Sequence, residues 1–214
     1  MREKTWALAL TVGLLGAGGA TQAALVDAGN GLVNDTVLDI TWVADASLSG
    51  PQEWDDLVSW AENLIYAGYD DWRLASMSVA GGTNPTGSAS SIIDCSTDTE
   101  VNCRDNELGY MYTYYLPGSS GDNKTGNQTV GDVTLTGIQN VYWSGTEFAS
   151  DPVGAWFFDP DLGFQAFDGK VLQFYGWAVR PGQVAAAPLP GTALLMALGF
   201  GAMALLRRAR RRLW

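Results

Sequence analysis

"GPQEWDDLVSWAENLIYAGYDDWRL", residues Gly50 to Leu74, is the stretch whose hydrophobic spacing selects one element type. Trp54, Leu57, Val58, Ala61, Leu64 and Ile65 recur at i, i+3, i+4 and i+7, so they share one face of an α-helix. Pro51 suits the first helical position, where its missing N–H costs nothing, and the acidic residues after it complement the positive end of the helix dipole. Gly68 can take the left-handed backbone that stops a helix. The spacing predicts one amphipathic helix over about 51–67, followed by a return toward strand in "YDDWRLASM", Tyr69 to Met77.

Outward from this helix, the chain reads as short β-prone runs. Before it, "LVDAGNGLVNDTVLDITWVAD" (Leu25 to Asp45) sets such runs between Asn, Asp and Gly turns, with Val37, Ile40, Trp42 and Val43 as core candidates. After it, Ala80 to about Gly137 is rich in Gly, Ser, Thr, Asn and Asp and predicts a long loop region, interrupted by "LGYMYTYYL". Tyr112 and Tyr114 there suit either a sugar-stacking platform or an aromatic element packed on the core. "NVYWSGTE", "GAWFFDPDLG" and "VLQFYGWAVRPG" then predict three closing strands paired as a meander. The whole pattern predicts an α+β domain: one main helix, short antiparallel strands and long loops.

The termini differ from this body. "MREKTWALALTVGLLGAGGATQAA" has a basic start, an apolar middle and small residues near Ala23, the pattern of a signal peptide over 1–23. Export places the two cysteines, Cys95 and Cys103, in an oxidising space. A disulfide between them closes a small loop and stabilises by roughly 2–3 kcal/mol, with two structural thiols as the alternative. At the other end, Gly191 to Leu206 is uncharged, about 24 Å long as a helix, and is followed by arginines at 207, 208, 210, 211 and 212. The positive-inside rule puts those arginines on the cytoplasmic side and the body outside, tethered by a hydrophobic C-terminal helix over 191–206. Between the termini, five basic residues stand against 22 acidic ones, a balance of −17. Such a body repels nucleic acid and anionic lipid, and suits neutral or cationic partners.

Pro188, Leu189 and Pro190, the short apolar helix and the terminal arginines together resemble the PEP-CTERM class of sorting signal, in its Val-Pro-Leu-Pro variant. The resemblance implies processing by an exosortase, after transient anchoring in the inner membrane, and display in the outer envelope, at the cell surface or in an extracellular matrix. A second set of marks spans about residues 29–182. Asn30, Gly31, Val33, Asp35, Thr41 and Trp42, then Trp72, Arg73 and Leu74, then Tyr142, Trp143, Ser144, Thr146 and Glu147, and finally Val179 and Arg180 follow the order of the Lcl C-terminal domain family. The chain departs from that pattern at Ala75-Ser76, where the family has Pro-Thr, and lacks the cysteine near the closing Val-Arg. The resemblance implies a fold similar to C-type-lectin-like and sulfatase-modifying-enzyme-like domains. The expected organisation is a signal peptide (1–23), this domain (24–182), and a linker with the sorting tail (183–214).

The residue types narrow the chemistry. Histidine is absent, so no Ser-His-Asp or Cys-His arrangement exists. Arg73 and Arg180 predict ion pairs with carboxylates, Glu147 and Asp71 being candidates; Trp42, Trp143 and Trp156 predict core, and Trp72 is a structural mark. Asp159, Asp161 and Asp168 offer oxygens to Ca²⁺ or form a solvated acidic turn. The expected activity is non-catalytic recognition of an extracellular polysaccharide, through a face built from the Ala80–Gly137 loops and the Asp159–Asp168 turns. A hydrolase with paired Asp/Glu, or a purely structural matrix component, is the alternative.

Overall fold

The computed structural model describes residues 25–77, 93–94, 106–119 and 121–185. Its first sheet begins with a hairpin of β1 (Leu25–Gly29) and β2 (Leu32–Asp35), turned by Gly29, Asn30 and Gly31, all with positive φ. Strand β3 (Ile40–Val43) continues the sheet beside β2. The next neighbour comes from the far end of the domain: β12 (Ala178–Pro181) pairs antiparallel with β3, Val179 opposite Trp42, and the short β4 (Arg73–Leu74) closes the row. Start and end of the domain therefore meet in the middle of one sheet. Trp177 locks that junction, donating its indole N–H to the Val43 carbonyl at 2.8 Å and lying edge-on to Trp42 at 5.0 Å.

The second sheet is a meander of β8 (Tyr142–Glu147), β9 (Gly154–Asp159) and β10 (Phe164–Gly169), extended by β5 (Ile93–Asp94) beside β10 and by β11 (Tyr175–Gly176) parallel to β8. A separate hairpin joins β6 (Gly126–Val130) to β7 (Val133–Ile138). Strand β9, "GAWFFD", is buried at every position because apolar material covers both of its faces. Trp156 and Phe158 enter the main core with Trp42, Leu135, Tyr142 and Trp177, while Ala155 and Phe157 join Trp54, Leu57, Leu74 and Trp143 under the helix.

That helix, α1, spans Trp54–Glu62. It is shorter than 51–67, cut at its start by distant partners and at its end by local ones. Gln52 exchanges both backbone hydrogen bonds with Phe174, and Trp54 N–H donates to the Lys170 carbonyl, so the chain before Glu53 is held extended. At the other end Asn63 donates its amide to the Ser59 carbonyl, and Tyr66 and Tyr69 pair as a β-bridge. Trp54, Leu57 and Ala61 are buried as the spacing requires, but Ile65 lies past the helix end and is 78% exposed.

The α+β expectation is thereby corrected. Among the described residues two five-stranded sheets and a hairpin dominate, and the helices there are a nine-residue α1 and a four-residue α2 (Glu107–Tyr110) that runs into a π turn at Met111–Tyr115. A lectin-like frame with one long helix and long loops is not what these residues build. Part of the predicted loop region is regular: residues 107–115 are helical and 126–138 form the β6–β7 hairpin. The closing meander is also reassigned. Its third strand is β10, and "VLQFYGWAVRPG" divides between the two sheets because Trp177 carries the chain across to β3. The expected hydrophobic C-terminal helix, the signal peptide and both cysteines lie outside the described residues; among the described residues no helix is long and apolar enough to cross a membrane.

Candidate functional site

Trp54, Val58 and Glu62 repeat every four residues, so they form a second stripe on α1 beside the buried one. This stripe walls a groove of about 540 Å³. The opposite wall is the β2–β3 turn, Leu38, Asp39 and Ile40, with Pro181 paired to Ile40 on β12. Arg73 and Leu74 of β4, Ser76, Glu107 and Gly145 of β8 line it between them. The groove thus opens where the two sheets abut, and Gly145 allows that approach: its N–H donates to the Ala75 carbonyl, and a Cβ there would press on the Leu74 carbonyl at 3.3 Å.

Arg73 and Glu107 dominate the site. The guanidinium donates to both Glu107 oxygens, Nη1 to Oε2 and Nη2 to Oε1, each at 2.7 Å, and Nη1 also reaches the Leu74 carbonyl at 3.1 Å. Glu107 Oε2 accepts a further bond from the Ser76 N–H at 2.7 Å. The pair is asymmetric: the Arg73 side chain is 40% exposed and that of Glu107 only 4%. Arginine therefore offers its edge to the groove while the carboxylate is held from behind. A bidentate pair of this kind is planar and fixed, which suits a rigid recognition surface. With Asp39, Glu62 and Glu107 against Arg73, the lining carries a net charge of −2.

The other basic side chains among the described residues act as internal clips. Arg180 donates Nε and Nη2 to Asp71 at 2.6 and 2.8 Å and lies 4.2 Å from the Tyr69 ring. Lys170 pairs with Glu147 and sits 4.2 Å over Trp54. Lys124 is buried, donating to the Tyr112 and Leu116 carbonyls. Asp71 and Glu147 are thus both used in ion pairs, but Arg73 takes Glu107, a residue that its neighbourhood in sequence did not single out.

The side chains expected to form the aromatic and acidic face do not come together among the described residues. Tyr112 is core, 1% exposed, its hydroxyl accepting from Gly121 N–H and donating to the Asp122 carbonyl. Tyr114 is 48% exposed and lies tilted against Tyr110, ring centroids 4.5 Å apart. Asp159 is buried and accepts the N–H groups of Asp161 and Leu162 at 2.8 and 3.0 Å; burial pushes its carboxyl above the ordinary range, and the two N–H donors oppose this. Asp161 receives the Asn123 amide. Asp168 holds the Gly169 N–H at the other end of the β9–β10 ladder, opposite Ala155, about 13 Å along the strand from Asp159. These three aspartates do not converge on one ion, and no cluster of three or more metal-ligating side chains occurs among the described residues.

Trp42, Trp72 and Trp143 are buried, as is Trp156. Cys95, Cys103, Pro188, Leu189 and Pro190 lie outside the described residues. Sequence reasoning missed Leu38, Asp39, Glu62 and Glu107. The signal for Glu62 was present in the four-residue repeat from Trp54; for Glu107 it was the adjacent Asn106, whose side chain caps the short helix by accepting from Gly109 N–H. Compared with known proteins, the chain matches no family model, no curated protein and no solved structure.

Proposed function

We propose that this is an exported binding protein of the cell surface or exopolysaccharide matrix, sorted by an exosortase through Pro188-Leu189-Pro190, which recognises a polysaccharide in the groove beside Arg73. The observation that carries this reading is the groove itself. Its volume falls within the range of specific ligand sites, and it combines apolar walls from Leu38, Val58 and Pro181 with a fixed polar edge at Arg73. Sugar rings present an apolar C–H face and a hydroxyl rim, and such a lining complements both. Glu107 itself is held by three donors, two from Arg73 and one from Ser76, which makes it a poor general base. The order of marks from Asn30 to Arg180 supports kinship with the Lcl C-terminal domain family.

A polysaccharide array, followed by calorimetry on the cell-surface form of the protein, tests the reading. Binding is expected, with a loss of about tenfold or more on Val58→Trp, which fills the groove. Binding that survives Val58→Trp overturns the groove as the site. Cleaved products in mass spectra support the hydrolase alternative, and the absence of any bound polysaccharide supports the structural one. C-terminal peptide mapping tests sorting: exosortase processing removes the segment after about Pro190, whereas intact Arg207–Trp214 on the mature protein overturns it.

A further inference from the structure

We infer that the groove is selective for a cationic glycan, a polymer of amino sugars whose amines are unacetylated and protonated. The inference rests on the groove's being a glycan site and adds the charge of its ligand. Arg73 is the one basic residue in the lining, and both of its terminal nitrogens are committed to Glu107, so this pair cancels within the site. Asp39 and Glu62 remain. They line it from different elements, one on the β2–β3 turn and the other in the last turn of α1; both are exposed, Asp39 Oδ1 accepts the Gln183 side-chain amide at 3.3 Å, and neither has a basic partner among the described residues.

The backbone fixes the Asp39 position: φ is +52° and the Asp39 carbonyl accepts the Gly182 N–H at 2.8 Å, which ties the turn to the end of β12. Glu62 sits one helical repeat beyond Val58, so the charged end of that wall continues its apolar stripe. A pyranose packed on Leu38 and Val58 would therefore meet a carboxylate from each of these two elements. An ammonium group on that ring makes charge-assisted hydrogen bonds to it, while a uronate meets repulsion. Elsewhere on the described surface no basic side chain is left to attract an anionic polymer, because Lys124, Lys170 and Arg180 are each held by internal partners.

The test is calorimetry on the protein purified from the cell surface, with four probes: a fully deacetylated glucosamine hexamer, its fully N-acetylated counterpart, a uronic acid hexamer and hexalysine. The deacetylated hexamer is expected to bind at least about tenfold tighter than the acetylated one at low salt, with the difference shrinking as salt rises. Asp39→Asn with Glu62→Gln should remove that preference, and Glu62→Gln alone, on an exposed helix face that tolerates it, should halve it on a logarithmic scale. Asp56→Asn with Asp70→Asn, two exposed acids outside the groove, should leave it unchanged. Equal affinity for both glucosamine hexamers, tightest binding to the uronate, or retention of the preference in Asp39→Asn/Glu62→Gln overturns the charge assignment while leaving a glycan groove intact. Hexalysine binding tighter than the amino sugar makes the partner a basic protein and overturns it as well. Failure of all the sugars to bind removes both the inference and the reading beneath it.

Discussion

The Tyr115 hydroxyl donates a 2.7 Å hydrogen bond to the Asp35 carboxylate and so ties the π turn to the first sheet across 80 residues of sequence. Asp35 is fully buried. Its Oδ1 also accepts the N–H groups of Val37 and Leu38 at 3.0 and 2.9 Å, and its Oδ2 faces the Trp42 indole N–H at 3.5 Å. Burial, reinforced by the hydrogen bond to Asp35 and its charge, pushes the Tyr115 phenol far above its ordinary range, so it stays a donor at any working pH. A buried carboxylate held by donors from four residues organises the turn that leads to Asp39 and the groove wall.

Tyr115→Phe removes one of those donors without changing the packing volume. The expected loss is about 1–3 kcal/mol, because a buried charged acceptor loses a partner. Urea denaturation of the variant beside Tyr110→Phe checks it. The second change, at a half-buried ring, should cost about 0.5 kcal/mol or less.

Arg73→Met leaves Glu107 charged, buried and short of its strongest partner. A loss of about 2–4 kcal/mol is expected, below the full value for a buried pair because the arginine is partly exposed. Adding Glu107→Leu should restore part of it, since the unpaired charge is removed, but the Ser76 N–H still loses its acceptor. A double-mutant cycle by chemical denaturation measures both terms.

Two aspartates should respond to acid in opposite senses. Hydrogen bonds from Arg180 hold the Asp71 carboxyl below its ordinary 3.8, against a smaller effect of burial. A depressed folded-state value means that the stabilisation is complete above about pH 3.8 and is lost as pH falls through the folded value. Asp71→Asn should therefore lower stability at neutral pH by less than about 1 kcal/mol, given the exposure of the pair, and flatten the acid limb of the curve. Asp159 is raised by burial, so its charge is a penalty at neutral pH that disappears as pH falls below its folded value. Asp159→Asn keeps an oxygen for the Asp161 and Leu162 N–H groups and should be neutral to slightly stabilising, whereas Asp159→Ala should cost about 1–2 kcal/mol. Thermal unfolding across acid and neutral pH distinguishes the three variants.

Gly131 and Gly163 both adopt positive φ, +59° and +73°, yet their substitution should differ. A Cβ at Gly131 meets open space, so Gly131→Ala costs about 1–2 kcal/mol of backbone strain alone. At Gly163 the new methyl would run into the Tyr112 hydroxyl, which is bonded to Gly121 and Asp122 and has nowhere to go. Gly163→Ala should cost at least about 3 kcal/mol. Guanidinium denaturation of the two variants checks the difference.

Local patterns were legible where the information is local. The i, i+3, i+4 stripe located α1, and the Asn, Asp and Gly residues between Leu25 and Asp45 marked turns between short β-prone runs, because both depend on residues within a few positions of one another. The core status of Trp42, Trp143 and Trp156 followed from side-chain chemistry alone. The acidic body and the absence of histidine were likewise readings of residue type, open to inspection without coordinates.

Non-local partners belong to the tertiary structure. Val37 looked like core on its strand pattern but is 45% exposed, since Asp35 accepts its N–H and turns the chain outward there. The helix start was moved to Trp54 by backbone bonds with Phe174 and Lys170, more than a hundred positions away. Trp177 sent the last strand across to β3 instead of into the meander, and Arg73 met Glu107 in place of a nearer carboxylate. Spacing along a chain reports which residues can share a face of one element; it contains no term for which faces meet. That choice is made when burial of apolar surface closes long loops at small additional entropic cost, and here it brought α1, the β2–β3 turn and Arg73 around one groove.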